Sequence, residues 1–305
     1  MNSLQFLAAF AACTVLGCSC GKTPVPDDPE VPEKQAEVNM ATFNIRLDTT
    51  SDTEEKDWGA RKANCADLVQ KYGFDVFGMQ EVLANQQADL RSLLPGYCFN
   101  FVGRNDGTNG EAVGIAYNPE RIEPVEQGRF WLSSTPDVPS NSLEWGGMTR
   151  RRVAVWMRLR DKASRKEFYF LATHLEVNNN GNDYSGVREK SARLIMDRMQ
   201  AEATDGTPVF IVGDFNPAKS DEAALEAFRT VYADAFRVAE EGGFREGPRA
   251  TFNGFNKNAD MTRDSRPDIV FYTPSVTLQR YIAIDDRYDG NWPSDHIPVL
   301  VKMSW

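Results

Sequence analysis

Pro208-Val209-Phe210-Ile211-Val212-Gly213-Asp214-Phe215-Asn216 constrains the fold more than any other stretch of this chain. Val209 to Val212 are consecutive apolar residues, all β-branched or aromatic, and read as a strand buried on both faces. The run ends at Gly213, where polar groups emerge at the carboxyl end of the strand. Strand alternation places Asp214 and Asn216 on one side and Phe215 on the other. A carboxylate and an amide presented together suit a catalytic cleft. The same Gly-Asp-x-Asn sequence is also good turn chemistry, and an Asx turn closing the strand accounts for it when it is taken alone.

Its neighbours in the sequence shift that balance. The chain has two histidines, and each lies at the boundary of a strand-like run. His174 follows Phe168-Tyr169-Phe170-Leu171-Ala172-Thr173, and Ser294-Asp295-His296 leads into Ile297-Pro298-Val299-Leu300-Val301. Thr42-Phe43-Asn44-Ile45, Met79-Gln80-Glu81-Val82, Thr173-His174-Leu175, Gly213-Asp214-Phe215-Asn216, Arg266-Pro267-Asp268-Ile269-Val270 and Ser294-Asp295-His296 occur in that order. Together they resemble the endonuclease/exonuclease/phosphatase superfamily over roughly Ala36 to Trp305. Pro267 departs from the aliphatic residue usual before that aspartate, and a proline at the start of a strand is tolerated.

Three segments are expected. Residues 1–17 carry no charged side chain, and Leu4 to Leu16 is too short an apolar run to span a bilayer as a helix. It reads as the h-region of an export signal. Val15-Leu16-Gly17-Cys18 resembles a bacterial lipoprotein box, with Cys18 the lipidated first residue of the mature chain. The expected localisation is therefore exported and membrane-anchored, with an ordinary signal peptide as the rival. Residues 18–35 form an acidic tether with Pro24, Pro26, Pro29 and Pro32, a composition that favours extended polyproline-like structure. Residues 36–305 form the folded domain, expected to be a monomer. Of five cysteines, Cys20, Cys65 and Cys98 remain after processing and lipidation, with no CxxC pair to suggest a zinc site. Cys65 shares helical spacing with Leu68, Val69 and Tyr72 and reads as a core residue.

Strands are expected at Glu37 to Leu47 (ending near Asn44), Asp75 to Glu81, Tyr97 to Val102, Ala112 to Tyr117, Glu126 to Leu132, Arg152 to Leu159, Phe168 to Leu175, Asp268 to Tyr272, Val276 to Ile284 and Ile297 to Met303. Helices are expected at Arg61 to Tyr72, Asn85 to Leu94, Val187 to Ala203 and Asp221 to Arg229. Many strands with polar ends and few helices suggest two packed sheets with helices outside. The family resemblance implies the same α/β fold: a four-layer sandwich of two packed mixed β-sheets flanked by helices, with the site where both sheets open on one edge.

Phosphate-ester hydrolysis requires an activated water, neutralised phosphoryl oxygens and a compensated leaving group. Asn44, Glu81 and Asp295 offer hard oxygen ligands, which suit Mg²⁺ or Mn²⁺ rather than zinc. The resemblance places Glu81 in the metal shell with Asn44 and Asp295 close by, and pairs His296 with Asp268. It implies that Asp214 orients or deprotonates the water and that Asn216 meets the phosphoryl oxygens. His174 would serve a non-bridging oxygen or the leaving group, while either His296 or Asp214 serves as the base. Histidine at position 174 is the habit of the deoxyribonuclease, sphingomyelinase and sugar-phosphatase branches, whereas abasic-site endonucleases tend to have asparagine. Arg150, Arg151 and Arg152 are a candidate phosphate patch, from which Arg152 is singled out and the other two read as a solvated strand entrance. Arg46, Glu111 and Tyr117 are weaker candidates for substrate contact.

The expected activity is divalent-metal-dependent hydrolysis of a phosphate ester by water attack at phosphorus. The alternatives are an inactive binding lipoprotein on the same fold and a sphingomyelinase-like lipid phosphodiesterase. A serine hydrolase is disfavoured because no Gly-x-Ser-x-Gly elbow is present. A nucleic acid, a sugar phosphate or a lipid head group would each fit as substrate. The net charge of −10 opposes strong non-specific duplex binding. The loops Asp48 to Trp58, Thr135 to Met148 and Asn178 to Gly186 are expected to line the cleft.

Overall fold

The computed structural model describes residues 34–305. The expected leader, Cys18, Cys20 and all but the last two residues of the tether lie outside the described residues.

In chain order the elements begin β1 (Glu37–Asn44), α1 (Trp58–Tyr72), β2 (Val76–Val82), α2 (Ala84–Leu93), β3 (Cys98–Gly103), β4 (Ala112–Tyr117), β5 (Ile122–Trp131) and β6 (Val153–Asp161). They continue β7 (Glu167–His174), α3 (Ser185–Glu202), β8 (Val209–Asp214), α4 (Ala223–Arg229), β9 (Ala233–Asp234) and α5 (Ala235–Gly242). The last are β10 (Arg245–Glu246), β11 (Asp268–Tyr272), β12 (Thr277–Ala283) and β13 (Val299–Ser304). One sheet has 7 strands in the order β10-β12-β13-β1-β2-β4-β3, and the other has 6 in the order β5-β6-β7-β8-β11-β9. Both are mixed, as the sandwich expected from the sequence requires.

The burial pattern shows why the layers stack this way. Val38, Met40 and Val301 from the first sheet meet Val155, Phe170, Phe210 and Val212 from the second in one core. Behind the first sheet, Phe43, Phe77 and Met79 pack on Cys65, Leu68 and Leu90 from α1 and α2. Behind the second, Tyr169, Leu171 and Ile211 pack on Ile195, Met199 and Phe228 from α3 and α4. Successive β8 side chains therefore enter different cores, which is why the strand is apolar at consecutive positions. Gly78 allows a close approach of the sheets: a Cβ there would lie 2.7 Å from Val212 Cγ2 and 2.9 Å from Ala172 Cβ.

Several boundaries depart from the sequence reading. α1 starts at Trp58 because the Asp57 side chain accepts from Gly59 N and caps it. β5 begins at Ile122 and runs through Pro124, where the register with β6 shifts. β5 is an edge strand, where a residue without an N–H is tolerated. α5 and the short strands β9 and β10 are absent from the sequence reading altogether. The signal for α5 was present: Asp234 accepts from Phe236 N and Arg237 N at its start, and Gly243 closes it at φ 68°.

Candidate active site

β1 runs parallel to β2 and β7 parallel to β8, so the carboxyl ends of all four open on the same edge of the sandwich. Asn44, Glu81, His174 and Asp214 stand there. β11 is antiparallel to β8, which brings its first residue to the same edge, with Asp268 opposite Asp214. His174 lies opposite Asp214 on the other side. Register thus aligns three polar residues across β7, β8 and β11. β13 is antiparallel to β1, so the Ser294–His296 segment preceding it arrives beside Asn44. Ser294 Oγ donates to Asn44 O at 2.7 Å and is buried, a brace between strand ends and not a nucleophile.

Backbone irregularity aims the remaining groups. Glu81 has φ 65° and lies where the β2–β4 register shifts between Met79 and Val82. A bulge of this kind re-aims one side chain at a strand end. Asn216 at φ 46° and Arg46 at φ 60° are likewise left-handed. Such conformations cost about 1–3 kcal/mol each and persist where the surroundings over-determine them. At the Asp214 turn both sequence readings hold together. Oδ1 accepts from Asn216 N at 3.0 Å in an Asx turn, while Oδ2 accepts from Asn44 Nδ2 at 3.0 Å within the cleft. Gly213 allows the turn, because a Cβ there would lie 2.1 Å from Thr173 O.

Asp214 Oδ2 lies 3.5 Å from His174 Nε2 and 3.7 Å from His296 Nε2. His296 Nδ1 lies 2.8 Å from Asp268 Oδ2. Burial and the nearby Asp268 carboxylate push the Asp214 carboxyl up to about 6, against the pull of His296 and Asn44. Burial opposes the charge on His296, but the adjacent Asp268, Asp214 and Asp295 outweigh it and hold the imidazolium well above its ordinary range. Burial, followed by the Arg152 and Arg104 guanidiniums, holds His174 well below it. The two imidazoles therefore differ in charge state near neutral pH, with His296 the cation and His174 neutral.

Glu81, His174 and Asp214 each offer a ligand atom, and these atoms lie within 4.8 Å of one another. Two carboxylates and a neutral imidazole around one point fit a divalent cation. This set differs from the expected Asn44, Glu81 and Asp295. Asn44 turns its Nδ2 toward Glu81 and Asp214, while its Oδ1 accepts from Arg46 N at 3.0 Å. It therefore tethers the two carboxylates. Asp295 borders the cleft with Oδ2 3.8 Å from Arg46 Nη1, and burial raises its carboxyl.

The cleft encloses about 510 Å³ and contains Glu81, His174, Asp214, Asn216, Asp295 and His296 in its walls. Arg46 and Glu111 also line it, each tied to a partner: Arg46 to Asp52 at 2.8 Å and Glu111 to Arg104 at 2.7 Å. Asn216 Nδ2 donates to Leu175 O at 3.1 Å. Tyr117 does not belong to the cleft. It pairs with Val76 at the start of β2 whereas Ala112 pairs with Val82, so antiparallel pairing carries it to the far edge, roughly 17 Å from Glu81. Arg152 is buried with Nη2 3.4 Å from Glu176, and Arg150, read from sequence as solvated, lines the cleft.

The expected loops supply little of the wall beyond Asn178. Pro217 to Ser220, Phe252 and Asp264 to Arg266 contribute much of it. Buried Arg188 on α3 holds two of these wall segments in place. It donates to Glu176 O and Asn178 Oδ1 at 2.8 Å each, and from Nε to Glu222 Oε1 at 2.6 Å, while Glu222 accepts from Ala218 N at 2.8 Å. In sequence Arg188 is an unremarkable charge near a helix start, and only the tertiary structure reveals its partners.

The model of the endonuclease/exonuclease/phosphatase family matches residues 41–296. An endonuclease/exonuclease/phosphatase family protein from Bacteroides thetaiotaomicron is 32% identical, with a TM-score of 0.81 over 90% of this chain and 96% of that one. A mannosyl-6-phosphatase from the same organism is also 32% identical, with a TM-score of 0.79 over 88% of this chain and 100% of that one. The catalytic domain of human Nocturnin shares the fold at 18% identity, with a TM-score of 0.66 over 92% of this chain and 99% of that one.

Proposed function

The chain belongs to the endonuclease/exonuclease/phosphatase family, and from that premise we propose that it hydrolyses phosphate esters in a reaction dependent on Mg²⁺ or Mn²⁺. The observation that carries this is the convergence of Glu81, His174 and Asp214 within 4.8 Å beside the Asp268–His296 pair. A divalent ion held by Glu81, Asp214 and His174 would neutralise charge on the phosphoryl oxygens. Asp214, between the two imidazoles, takes the proton from the attacking water. His296, kept cationic by Asp268, stabilises the negative charge that develops on phosphorus-bound oxygen and gives its proton to the leaving alcohol oxygen as the ester P–O bond breaks. Asn44 holds Asp214 and Glu81 in their shared orientation, and Asn216 offers its remaining amide hydrogen to the phosphoryl group.

Among phosphate esters, sugar monophosphates come first. The similarity to a mannosyl-6-phosphatase supports this, as does a net charge of −10, which opposes binding to a polyanionic duplex. The test is hydrolysis of mannose 6-phosphate, DNA, inositol phosphates and sphingomyelin, each with Mg²⁺ and with EDTA. Release of phosphate from mannose 6-phosphate that EDTA abolishes is the expected result. Equal rates with EDTA would remove the metal, and preference for DNA or sphingomyelin would remove the sugar phosphate.

We also propose export and anchoring of the mature chain through a lipid on Cys18, on the strength of Val15-Leu16-Gly17-Cys18 and the proline-rich segment after it. Mass spectrometry of the mature amino terminus is expected to find a diacylglyceryl-modified Cys18. An unmodified terminus beyond Cys18 excludes the anchor.

A further inference from the structure

Among the described residues, Arg46, Arg150, Arg152, Lys219 and Arg266 are the arginine and lysine side chains of the cleft wall. Arg46 pairs with Asp52 at 2.8 Å, Arg152 with Glu176 at 3.4 Å, Lys219 with Asp221 at 3.4 Å and Arg266 with Asp264 at 2.9 Å. Arg150 differs from them. Its Nη2 lies 3.6 Å from the thioether of Met148, and among the described residues no carboxylate pairs with it. A thioether is a weak acceptor and leaves most of the guanidinium's donors unused. A half-buried guanidinium has already lost part of its hydration, so an unpaired one is poorly compensated until an anion arrives.

The rest of the wall narrows what that anion can be. Glu81, Asp214 and Asp295 suit a cation, whereas Arg150 and Arg152, just before β6, add positive potential at His174. Arg152 is almost fully buried and already engaged with Glu176, so it sets the potential without reaching out. We propose that Arg150 is the residue that grips the substrate's phosphate, donating two parallel hydrogen bonds to its non-bridging oxygens, and that the group it takes is a terminal phosphate dianion. The planar fork of arginine matches two phosphate oxygens at once, which lysine cannot do. A terminal phosphate offers three non-bridging oxygens and two negative charges, so it can meet the arginine fork and a cation at once, whereas a diester within a polymer offers two such oxygens and one charge.

This assignment rests on the phosphoester reading of the cleft, so its test measures binding apart from turnover. Inorganic phosphate is titrated calorimetrically, with Mg²⁺ present, into the full-length chain and into Arg150→Gln, Arg150→Lys and Lys190→Gln, the last at an exposed lysine on α3 outside the cleft wall. Arg150→Gln is expected to weaken phosphate binding on the order of tenfold to a hundredfold. Arg150→Lys should recover part of that loss and Lys190→Gln should match the wild type. Melting temperatures should agree among all four, because Arg150 has no ion pair to lose. In parallel, Arg150→Gln should raise KM for mannose 6-phosphate by a similar factor with a smaller change in kcat. Equal phosphate affinity in Arg150→Gln and wild type overturns the assignment, as does a wild type without measurable phosphate affinity. Phosphate binding that depends on Arg150, in a protein that hydrolyses no ester tested, leaves this inference standing and removes the hydrolase.

Discussion

Asp268→Asn and His296→Ala are each expected to lower kcat by about 10²–10⁴-fold, and the double variant is expected to cost little more than the worse single one. The geometry gives the reason. Asp268 Oδ2 meets His296 Nδ1 at 2.8 Å, with both side chains buried, so the carboxylate fixes the tautomer and stabilises the imidazolium. Residues that act through one charged pair fail together. The pH–rate profile offers a second readout. Activity that needs Asp214 unprotonated should fall as pH drops through about 6, and activity that needs His296 protonated should fall as pH rises through its elevated range. Removing the Asp268 charge lowers the affinity of His296 for its proton, so the basic limb of Asp268→Asn should move toward lower pH. A purely structural Asp268 would instead shift the melting temperature and leave kcat and both limbs in place. Additive losses in the double variant would show that the two residues do not work as a unit.

Glu81→Gln should raise the Mg²⁺ concentration required for half-maximal activity by about 100-fold or more, a magnitude comparable to the upper range for disturbing the outer shell of a metal site. Glutamine keeps the length of the side chain and removes the charge facing His174 and Asp214. It also breaks the symmetry of the local bonds. Glu81 Oε1 accepts from Asn44 Nδ2 at 3.1 Å and Oε2 from Leu47 N at 3.1 Å, and one of these donors would then face an NH₂ group. Saturating Mg²⁺ should restore part of the rate, and chelator-treated variant and wild type should melt within a few degrees of each other. Full activity of Glu81→Gln at limiting Mg²⁺ would take Glu81 out of the metal site.

The sequence by itself determined which strands carry the chemistry. The apolar runs before Asn44, His174 and Asp214 have to be buried, and a polar residue that ends such a run surfaces at the strand's carboxyl end. That logic is local, so it can be read one strand at a time, and six motifs in order supplied the rest through resemblance. The bulge that turns Glu81 inward, the hydrogen bonds by which Asn44 joins Glu81 to Asp214, and the exclusion of Tyr117 were beyond its reach. Each depends on register and strand direction, which arise between strands far apart in the chain: Tyr117 and Glu81 both lie near strand ends, but on antiparallel neighbours. The cleft wall was least legible for the same reason. Arg150, Arg151 and Arg152 are alike as residue types, and what separates them is partner choice: Glu176 for Arg152, the Asn105 carbonyl for Arg151, and a thioether for Arg150. Those partners lie up to 46 positions away, and only folding brings them within reach.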